Sequence, residues 1–339
     1  MGMSERLEAE AEIVGRRGVS PVRVLSYVVL TVVGVFTLVP LVWLIFAAFR
    51  SSQDIFSFTF VPYGTSIGGQ WQYDDVDASR IVTLKNGKDG IVLADGKEAE
   101  VIKHAFTLKN FRELFSLQSS KNIKEPRRQF GRYLLNSFFI TSTATSVSLL
   151  LASLGGFALA KYRFRGKNFL LTLMLATMVI PPSVLLAPNY ELLCQMGLMN
   201  SYAGILIPGA VGAFGLLLFR QAMLAVPDDL LEAARIDGCS ELRIYWSIVM
   251  PIVRPMSGAF CLIAFMASWN NFLMPMIVLQ SEGLFTVPIF LSQQVGQSGD
   301  NQYGLLMAGT LLGVLPPAVL FFILQKEFIA GLTAGAVKG

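Results

Sequence analysis

The sequence has little of what most enzymes and soluble domains depend on. Charged residues make up only 15% of its 339 residues, whereas soluble domains carry about a quarter. The single histidine, His104, excludes most histidine-based catalysis and multi-histidine metal sites. The three cysteines have no metal-type spacing and imply no intrachain disulfide framework. We therefore predict neither a metal site nor a catalytic centre in this chain.

A phosphate-binding loop is also missing. No glycine-rich segment ends in Gly-Lys-Ser or Gly-Lys-Thr, so the chain cannot be an ATPase by itself, and we expect it to bind no cofactor. The net charge of +4 is small, and in a membrane protein it reflects where loops lie rather than affinity for nucleic acid.

Apolar sequence is abundant. Hydrophobic residues make up 53% of the chain, and its mean hydropathy is +0.57. The first apolar run has 26 residues, about 39 Å as a helix, which crosses roughly 30 Å of hydrocarbon and is too long for a signal peptide. These features predict an all-α integral membrane protein. Its six predicted transmembrane helices are residues 24–49, 133–160, 168–186, 202–219, 256–279 and 303–324.

Basic residues indicate how these helices are oriented. Arg16, Arg17 and Arg23 lie shortly before the first helix, and segment 161–167 holds four basic residues and no acid. The connections 187–201 and 280–302 carry almost no charge. Because basic loops remain inside the cell, both termini are predicted to be cytoplasmic in a multi-pass protein of the cell membrane. The predicted cytoplasmic tails are residues 1–23 and 325–339.

Residues 50–132 differ from the rest because charges are frequent there. Between Ile81 and His104, short β-type runs alternate with dipeptides that favour hairpin turns. The dipeptides are Asn86-Gly87, Asp89-Gly90 and Asp95-Gly96. We predict an extracytoplasmic loop that contains a small β-rich insert, followed by a short amphipathic helix at 106–115 near the membrane.

A charged segment, Pro227 to Pro255, interrupts the apolar runs and predicts two helices joined by a turn. Pro227 suits a first helical position. Gly238 lies where a left-handed residue is wanted after a helix, so the first helix is expected to stop near Asp237.

The second helix of the segment is predicted from Glu241 to about Val249. Ser240 is a plausible N-cap, and Pro251 is expected to end the helix. Its predicted apolar face, at i, i+4 and i+7, consists of Leu242, Trp246 and Val249.

A spaced pattern lies in the same segment. Glu232-Ala233-Ala234 is followed after three residues by Gly238 and after nine more by Ile248, with Met250-Pro251 close behind. The pattern resembles the EAA loop in the membrane subunits of ATP-binding-cassette importers. Leucine is usual where this chain has Met250, a residue of similar volume.

The resemblance covers most of the chain. The terminal segment GLTAGAVKG is similar to the ending of the MalG-type permease subunit of carbohydrate importers. This likeness implies the type I importer permease fold, with a core permease domain at 133–324 and a coupling loop at 225–255. The insert at about 63–105 departs from the short first loop of the family. Other similar segments are residues 132–141, 179–201, 218–223 and 268–275.

The resemblance also implies a function and partners. The chain would form, with a MalF-like second permease, the pathway for a sugar or oligosaccharide. An extracytoplasmic sugar-binding protein would dock near 280–302 and the insert, and a MalK-like ATPase dimer would bind ATP and Mg. The implied ATPase-coupling residues are Glu232, Ala233, Ala234, Gly238 and Pro251. The tail residues implied to reach the ATPase are Leu332, Thr333, Gly335, Lys338 and Gly339.

Several predicted spans contain residues that disturb helices. Pro181-Pro182, Pro208 and Pro316-Pro317 are expected to bend or break them. The small residues of 146–158 are expected to allow close contact between helices.

Two amides lie inside the fifth predicted span. Asn270 and Asn271 fall about 20 Å from its inner end, in the outer part of the bilayer. Unsatisfied amides are costly there, so the two side chains either bond to neighbouring helices or line the translocation path.

Other functions stay open at this point. The same machinery could import a non-sugar, such as glycerol phosphate or a polyol derivative. A secondary transporter usually needs intramembrane acids or repeated broken helices, yet no Asp or Glu lies in the six predicted spans. An intramembrane enzyme lacks a nucleophile and base or a metal constellation, and an assembly scaffold is the remaining possibility.

Overall fold

The computed structural model describes residues 21–50, 55, 64–67, 70–72, 82–83, 89–92, 98–104, 106–115, 130–296 and 303–336. The chain divides into two compact units, Met1–Thr107 and Leu108–Gly339.

Within the first unit, the first described element is one long apolar helix, α1, at Pro21–Ala48. Nearly all of its large apolar side chains are exposed, as expected for a helix that lipid surrounds. The helix corresponds to the first predicted span. At its end, the backbone N–H of Thr107 donates to the carbonyl of Phe49 at 2.8 Å.

The described residues of the same unit form five short strands where the insert is predicted. They form one antiparallel sheet in the order β2-β1-β5-β4-β3. Asp89-Gly90, predicted to lie in a turn, instead lies within β4, where Gly90 pairs with both Val82 and Glu100. The other two predicted turn dipeptides lie outside the described residues. The strands are β1 Gly64–Ile67, β2 Gln70–Gln72, β3 Val82–Thr83, β4 Asp89–Val92 and β5 Glu98–His104.

The second unit is helical in its described residues. Its helices are α2 Lys109–Phe115, α3 Phe130–Lys161, α4 Lys167–Thr177, α5 Leu186–Gln195, α6 Ala203–Leu206, α7 Ala213–Leu224, α8 Asp228–Ile236, α9 Glu241–Ile244, α10 Met250–Ile252, α11 Arg254–Trp269, α12 Leu273–Val278, α13 Val287–Gly296 and α14 Tyr303–Ala336. Short 3₁₀ turns occur at Pro182–Leu185 and Glu282–Leu284, and a π-helix occurs at Tyr245–Val249.

The six predicted spans do not appear as six continuous helices. Among the described residues, α1, α3 and α14 are each long and apolar enough to cross a membrane, and two bent helix pairs raise the number to at most five. The predicted third span bends by 94° between Thr177 and Pro182. Pro181-Pro182 accounts for this break, since proline removes a backbone donor and clashes with the preceding turn.

The predicted fourth and fifth spans are also interrupted. The fourth consists of α6 and α7, separated by a segment that contains Pro208, and the fifth consists of α11 and α12. The sixth span, in contrast, is longer and less interrupted than predicted. Helix α14 continues through Pro316-Pro317 and runs to Ala336 instead of ending at Leu324.

Helix α3 lies at the centre of the second unit, packed against α7 and α11. A Cβ added at Gly156 would lie 2.5 Å from the Cβ of Phe219 and 2.9 Å from the backbone nitrogen of Arg220. Gly215 of α7 meets the ring of Phe260 in the same way. The small residues predicted to allow close helix contact therefore do so here.

Candidate functional site: a helix pair and its anchors

The helix pair α8 and α9 contains the EAA-like pattern. Helix α8 begins at Asp228, with Pro227 at its N-cap, one position earlier than predicted. At its end, the N–H of Cys239 donates to the carbonyl of Ala234 at 2.9 Å, and the N–H of Gly238 donates to that of Arg235 at 3.0 Å. These two bonds define a Schellman ending. Gly238 has a φ of 79°, which confirms its predicted left-handed conformation.

The second helix of the pair begins as predicted. Ser240 is its N-cap, and its Oγ accepts from the N–H of Arg243 at 3.4 Å. Pro251 does not end this helix, because the helical run continues without a break from Glu241 through the π-helix to Ile252. The chain instead bends by 82° at Val253, between Ile252 and Arg254.

The predicted apolar face of the second helix is wrong in its register. Leu242 and Trp246 are 67% and 55% exposed, while Ile244, Tyr245 and Val249 are buried. Val249 is buried as predicted, whereas Ile244 and Tyr245 take the buried places that ideal spacing had given to Leu242 and Trp246.

The buried side of the pair joins the core of the unit. Leu231, Ala234 and Val249 belong to a cluster that also contains Phe157 and Phe219. Ala234 of the EAA-like pattern therefore packs inside this chain. Glu232 and Ala233 are exposed.

The exposed side of the pair carries four large apolar residues, of which sequence reasoning named Leu242 and Trp246 as apolar but did not single out Leu230 and Ile236. We call Leu230, Ile236, Leu242 and Trp246 the outer face. Ile236 is 86% exposed, and all four are exposed large hydrophobic residues on a segment that also carries many charges. The sequence signal that could have revealed them is the number of apolar residues in this segment, which exceeds what a single buried face needs.

Lys161, the last residue of α3, anchors the start of α8. Its Nζ donates to the carbonyl of Val226 and to Oδ1 of Asp228, both at 2.6 Å. The Lys161 side chain is only 4% exposed, whereas that of Asp228 is 74% exposed. The hydrogen bond from Lys161 lowers the pKa of Asp228.

Tyr162 anchors the turn between the two helices. Its hydroxyl donates to Oε2 of Glu241 at 2.5 Å. Arg235 donates to both carboxylate oxygens of Glu241, at 2.7 and 3.3 Å. The hydrogen bonds from Arg235 and then Tyr162 lower the pKa of Glu241. Lys167 donates to the backbone carbonyl of Tyr162 at 3.1 Å.

A third contact lies deeper in the same region. The hydroxyls of Ser153 and Tyr245 are 2.6 Å apart in a buried hydrogen bond. The ring of Phe157 packs 5.6 Å from that of Tyr162 and 5.7 Å from that of Tyr245. The C-terminal part of α3 and the following Tyr162 therefore hold both helices of the pair.

The sequence model of one protein family matches this region. The family is described as "Binding-protein-dependent transport system inner membrane component", and the match covers residues 149–332. That is more than half of the 339 residues and includes the entire helix pair.

The chain belongs to this family.

Individual relatives agree with the assignment. The arabinooligosaccharides transport system permease protein AraQ of Halalkalibacterium halodurans is 40% identical over 204 residues, which are 60% of this chain and 73% of that protein. The lactose transport system permease protein LacG of Rhizobium radiobacter is 36% identical, over 60% of this chain and 74% of that protein. The sn-glycerol-3-phosphate transport system permease protein UgpE of Pectobacterium atrosepticum is 30% identical, over 72% of this chain and 88% of that protein.

A solved structure shares the fold. A chain of a bacterial ABC transporter involved in the import of the acidic polysaccharide alginate aligns with a TM-score of 0.65 and 20% identity. The alignment covers 90% of this chain and 97% of that chain. The mostly helical permease fold of type I ABC importers is therefore confirmed.

The far end of α3 in this inner membrane component contains a second polar network. Asn136 donates to the carbonyls of Gly283 and Phe285, at 2.9 and 3.0 Å, and accepts from the hydroxyl of Tyr202 at 2.8 Å. The hydroxyl of the next residue, Ser137, accepts from the N–H of Val287 at 2.8 Å. These bonds tie α3 to the segment before α13. Sequence reasoning missed them because they join residues far apart in the chain.

The two amides singled out from the sequence lie at a helix end. Asn270 is the C-cap of α11, and its backbone N–H donates to the carbonyl of Met266 at 3.1 Å. Asn271 follows it in the segment before α12. Both residues are exposed. The buried neighbour Trp269 donates from Nε1 to the carbonyl of Gly313 at 3.0 Å, which fixes this helix end on α14.

The predicted tail is helical over most of its length. Leu332, Thr333 and Gly335 lie within α14, which runs to Ala336. Lys338 and Gly339 lie outside the described residues. Helix continues here because Gln325, Lys326 and Glu327 have high helix propensity.

Proposed function

We propose that this chain is the permease subunit of an ATP-driven importer that carries a sugar or oligosaccharide across the cell membrane. Family membership and relatives named as permeases for arabinooligosaccharides and lactose support the proposal. The chain itself would bind no cofactor, and ATP and Mg would be held by a separate ATPase.

The outer face of the helix pair is the single observation that carries the proposal. It presents exposed apolar side chains, and Glu232 and Ala233 of α8 are exposed as well. An ATPase subunit with an apolar cleft and a basic residue at its edge would match this surface, since apolar contact supplies affinity and the carboxylate supplies orientation. Gly238 would shape the turn, and Pro251 would lie at the edge of the contact.

Charge supports the proposed orientation. Lys161 to Lys167, next to the helix pair, contains four basic residues and no acid. Basic loops remain in the cytoplasm, so the pair and both termini would lie inside the cell, where the ATPase dimer binds ATP. Residues at the end of α14, including Leu332, Thr333 and Gly335, would lie on the same side, with Lys338 and Gly339 beyond them.

A second, MalF-like permease would complete the pathway. No residue of α4 is buried within the described part of the chain, and Val179 just after it is 81% exposed. A partner permease would cover this surface. Asn270 and Asn271, exposed at the interruption between α11 and α12, would then face the translocation path.

Substrate would arrive on an extracytoplasmic binding protein. The segment before α13, held by Asn136 and Ser137, lies at the end of α3 opposite the helix pair. This segment would therefore face outside and receive the loaded binding protein, together with the insert at about 63–105.

A glycerol phosphate importer is the second candidate. The relative UgpE, named for sn-glycerol-3-phosphate, is 30% identical over 72% of this chain and 88% of its own length. The identity to AraQ is higher, at 40%, although it covers 60% of this chain. We therefore favour a sugar and retain the phosphate ester as an outcome of the test.

Reconstitution tests the proposal. The chain is co-expressed with candidate second permease and ATPase subunits, purified into lipid vesicles, and assayed for ATP hydrolysis with each candidate binding protein. Ligands are a panel of oligosaccharides and sn-glycerol-3-phosphate. We expect one loaded binding protein to stimulate hydrolysis and the same ligand to accumulate in the vesicles. If no ATPase subunit co-purifies, the proposal is contradicted.

A further inference from the structure

The two ends of α3 contact different parts of the chain, which would lie on opposite sides of the membrane. One end holds the helix pair through Lys161 and Tyr162. The other end holds the segment before α13 through Asn136 and Ser137. Asn136 and Lys161 lie 25 residues apart in this helix, about 38 Å at 1.5 Å per residue, which is more than the roughly 30 Å hydrocarbon core of a bilayer.

We infer that α3 is the strut that carries motion between the binding-protein side and the ATPase side, and that Lys161 and Tyr162 are the positioning residues which fasten it to the helix pair. The inference rests on the proposed function, because it assigns a route to the coupling which that function requires.

The covalent joints of the helix pair are poorly suited to this task. On one side, the chain leaves α7 through a short connection that ends at Pro227. On the other side, it bends by 82° at Val253 before α11. Bends at irregular backbone absorb displacement by changing their dihedral angles. A movement of the helix pair would be partly lost at each joint.

The side-chain anchors to α3 avoid these bends. The Lys161 ammonium is nearly fully buried and bonds on both sides of Pro227, to a carbonyl before it and a carboxylate after it. A buried charge that loses its partners is strongly disfavoured, so the contact stays closed as the pair moves. Tyr162 adds a second anchor, since its hydroxyl bonds to Glu241 at the start of α9, whereas Lys161 holds the start of α8.

Close packing makes the strut stiff along its length. Gly156 of α3 lies against the backbone of Phe219 and Arg220, and Ala152 packs against Gly215. Packed interiors transmit displacement because they have few voids in which to absorb it. A shift imposed on Lys161 and Tyr162 therefore moves α3 as a body and reaches Asn136.

The test uses the assembled complex in lipid vesicles. The variants are Lys161→Met, which keeps the length of the side chain and removes its charge, and Tyr162→Phe, which removes one hydroxyl. Lys161→Arg is the conservative variant. Arg165→Gln is the matched control, because Arg165 is an exposed basic residue of the same loop.

We expect Lys161→Met to assemble with the ATPase at normal stoichiometry but to lose about tenfold in the stimulation of hydrolysis by loaded binding protein, a typical size for coupling between two sites. Tyr162→Phe should lose less, Lys161→Arg should restore most of the stimulation, and Arg165→Gln should match the unmodified chain. The substrate transported per ATP should fall in parallel with the stimulation.

A double variant checks that the contact itself is responsible. If Lys161 acts through Asp228, then Lys161→Met combined with Asp228→Asn should lose no more stimulation than Lys161→Met alone. Additive losses would contradict the assignment to this pair.

Two results would overturn the inference. One is normal stimulation in assembled Lys161→Met and Tyr162→Phe complexes. The other is a parallel loss of assembly and of all activities that Lys161→Arg does not rescue, because that pattern is a folding defect. Failure of the unmodified complex to respond to any binding protein would contradict the proposed function instead.

Discussion

At the scale of single residues, Gly238 holds the turn of the helix pair with a φ of 79°, and a Cβ added there would meet nothing within 4 Å. Any effect of substitution must therefore come from the backbone. We predict that Gly238→Val weakens ATPase docking while the membrane helices still assemble, because a left-handed conformation costs a side-chain-bearing residue about 1–2 kcal/mol.

Gly238→Asn is the matched control for this prediction, since asparagine tolerates the left-handed region better than valine does. The measurement is the amount of ATPase that co-purifies per permease. Normal docking and transport by the valine variant would contradict the role given to the turn.

Ile236 tests the outer face at the same scale. Its side chain is 86% exposed, so Ile236→Ala should leave the stability of the chain unchanged. If an ATPase cleft covers this residue, the variant should weaken docking about tenfold, as truncation of a buried interface anchor does. Titration of detergent-solubilised permease with ATPase measures the change. Phe164→Ala, at an exposed aromatic residue of the neighbouring loop, should have no effect.

Sequence reasoning succeeded at residues whose role is local. The cap of Ser240 and the left-handed Gly238 follow from signals within a few positions. It failed at Tyr162 and Asn136, whose partners lie 79 and at least 66 residues away. Such contacts depend on how helices pack, and a single sequence carries no signal for them.

At the scale of elements, the packing of α3 on α7 depends on Gly156. Gly156→Ala places a Cβ 2.5 Å from the Cβ of Phe219, where the neighbouring atoms include backbone and cannot move cheaply. We predict a loss of about 1–3 kcal/mol, the usual result of overpacking. Thermal unfolding of the purified protein in detergent measures it.

The control for Gly156 lies in α1. A Cβ added at Gly34 meets nothing within 4 Å, so Gly34→Ala should be neutral or slightly stabilising, as alanine favours helix more than glycine does. Equal unfolding temperatures for the two variants would contradict the close packing of α3 and α7.

The helix pair also has a defined pH dependence. The hydrogen bond from Lys161 lowers the pKa of Asp228 below its ordinary 3.8. The hydrogen bonds from Arg235 and Tyr162 lower the pKa of Glu241 below its ordinary 4.5. A carboxyl group with a lowered pKa stabilises the fold above its ordinary pKa and loses that contribution as pH falls through the lowered value. The contact between the helix pair and the end of α3 should therefore be equally stable from about pH 6 to 8.

Hydrogen exchange of the amides in α8 and α9, corrected for intrinsic rates, measures this dependence. Protection should persist at pH 6 and decrease only in acid below the ordinary carboxyl range. A loss of protection between pH 8 and 6 would mean that a different group controls the pair.

Elements were predicted best where a long apolar run has no interruption. Helices α1 and α3 follow their runs closely, whereas the apolar face that ideal spacing assigned to the second helix of the pair was wrong at Leu242 and Trp246. The end of α14 was missed because loss of hydropathy was taken as loss of helix. A helix that leaves the membrane needs no apolar residues to continue.

At the scale of the whole molecule, the interrupted spans indicate a pathway rather than an anchor. The described chain breaks at Pro181-Pro182, in the segment around Pro208, and between Trp269 and Leu273. Irregular backbone at membrane depth is tolerated where protein or a water-filled cavity satisfies its polar groups. In the proposed complex, the second permease and the translocation path would satisfy them.

The central claim is that ATP hydrolysis by a partner is coupled through this chain to a substrate delivered from outside. The most direct measurement is ATP hydrolysis by the purified complex in lipid vesicles, with and without a loaded sugar-binding protein. The account predicts that one loaded binding protein stimulates hydrolysis and that its sugar accumulates in the vesicles. A purified permease that retains no ATPase, or vesicles that accumulate the sugar on an ion gradient alone, would contradict it.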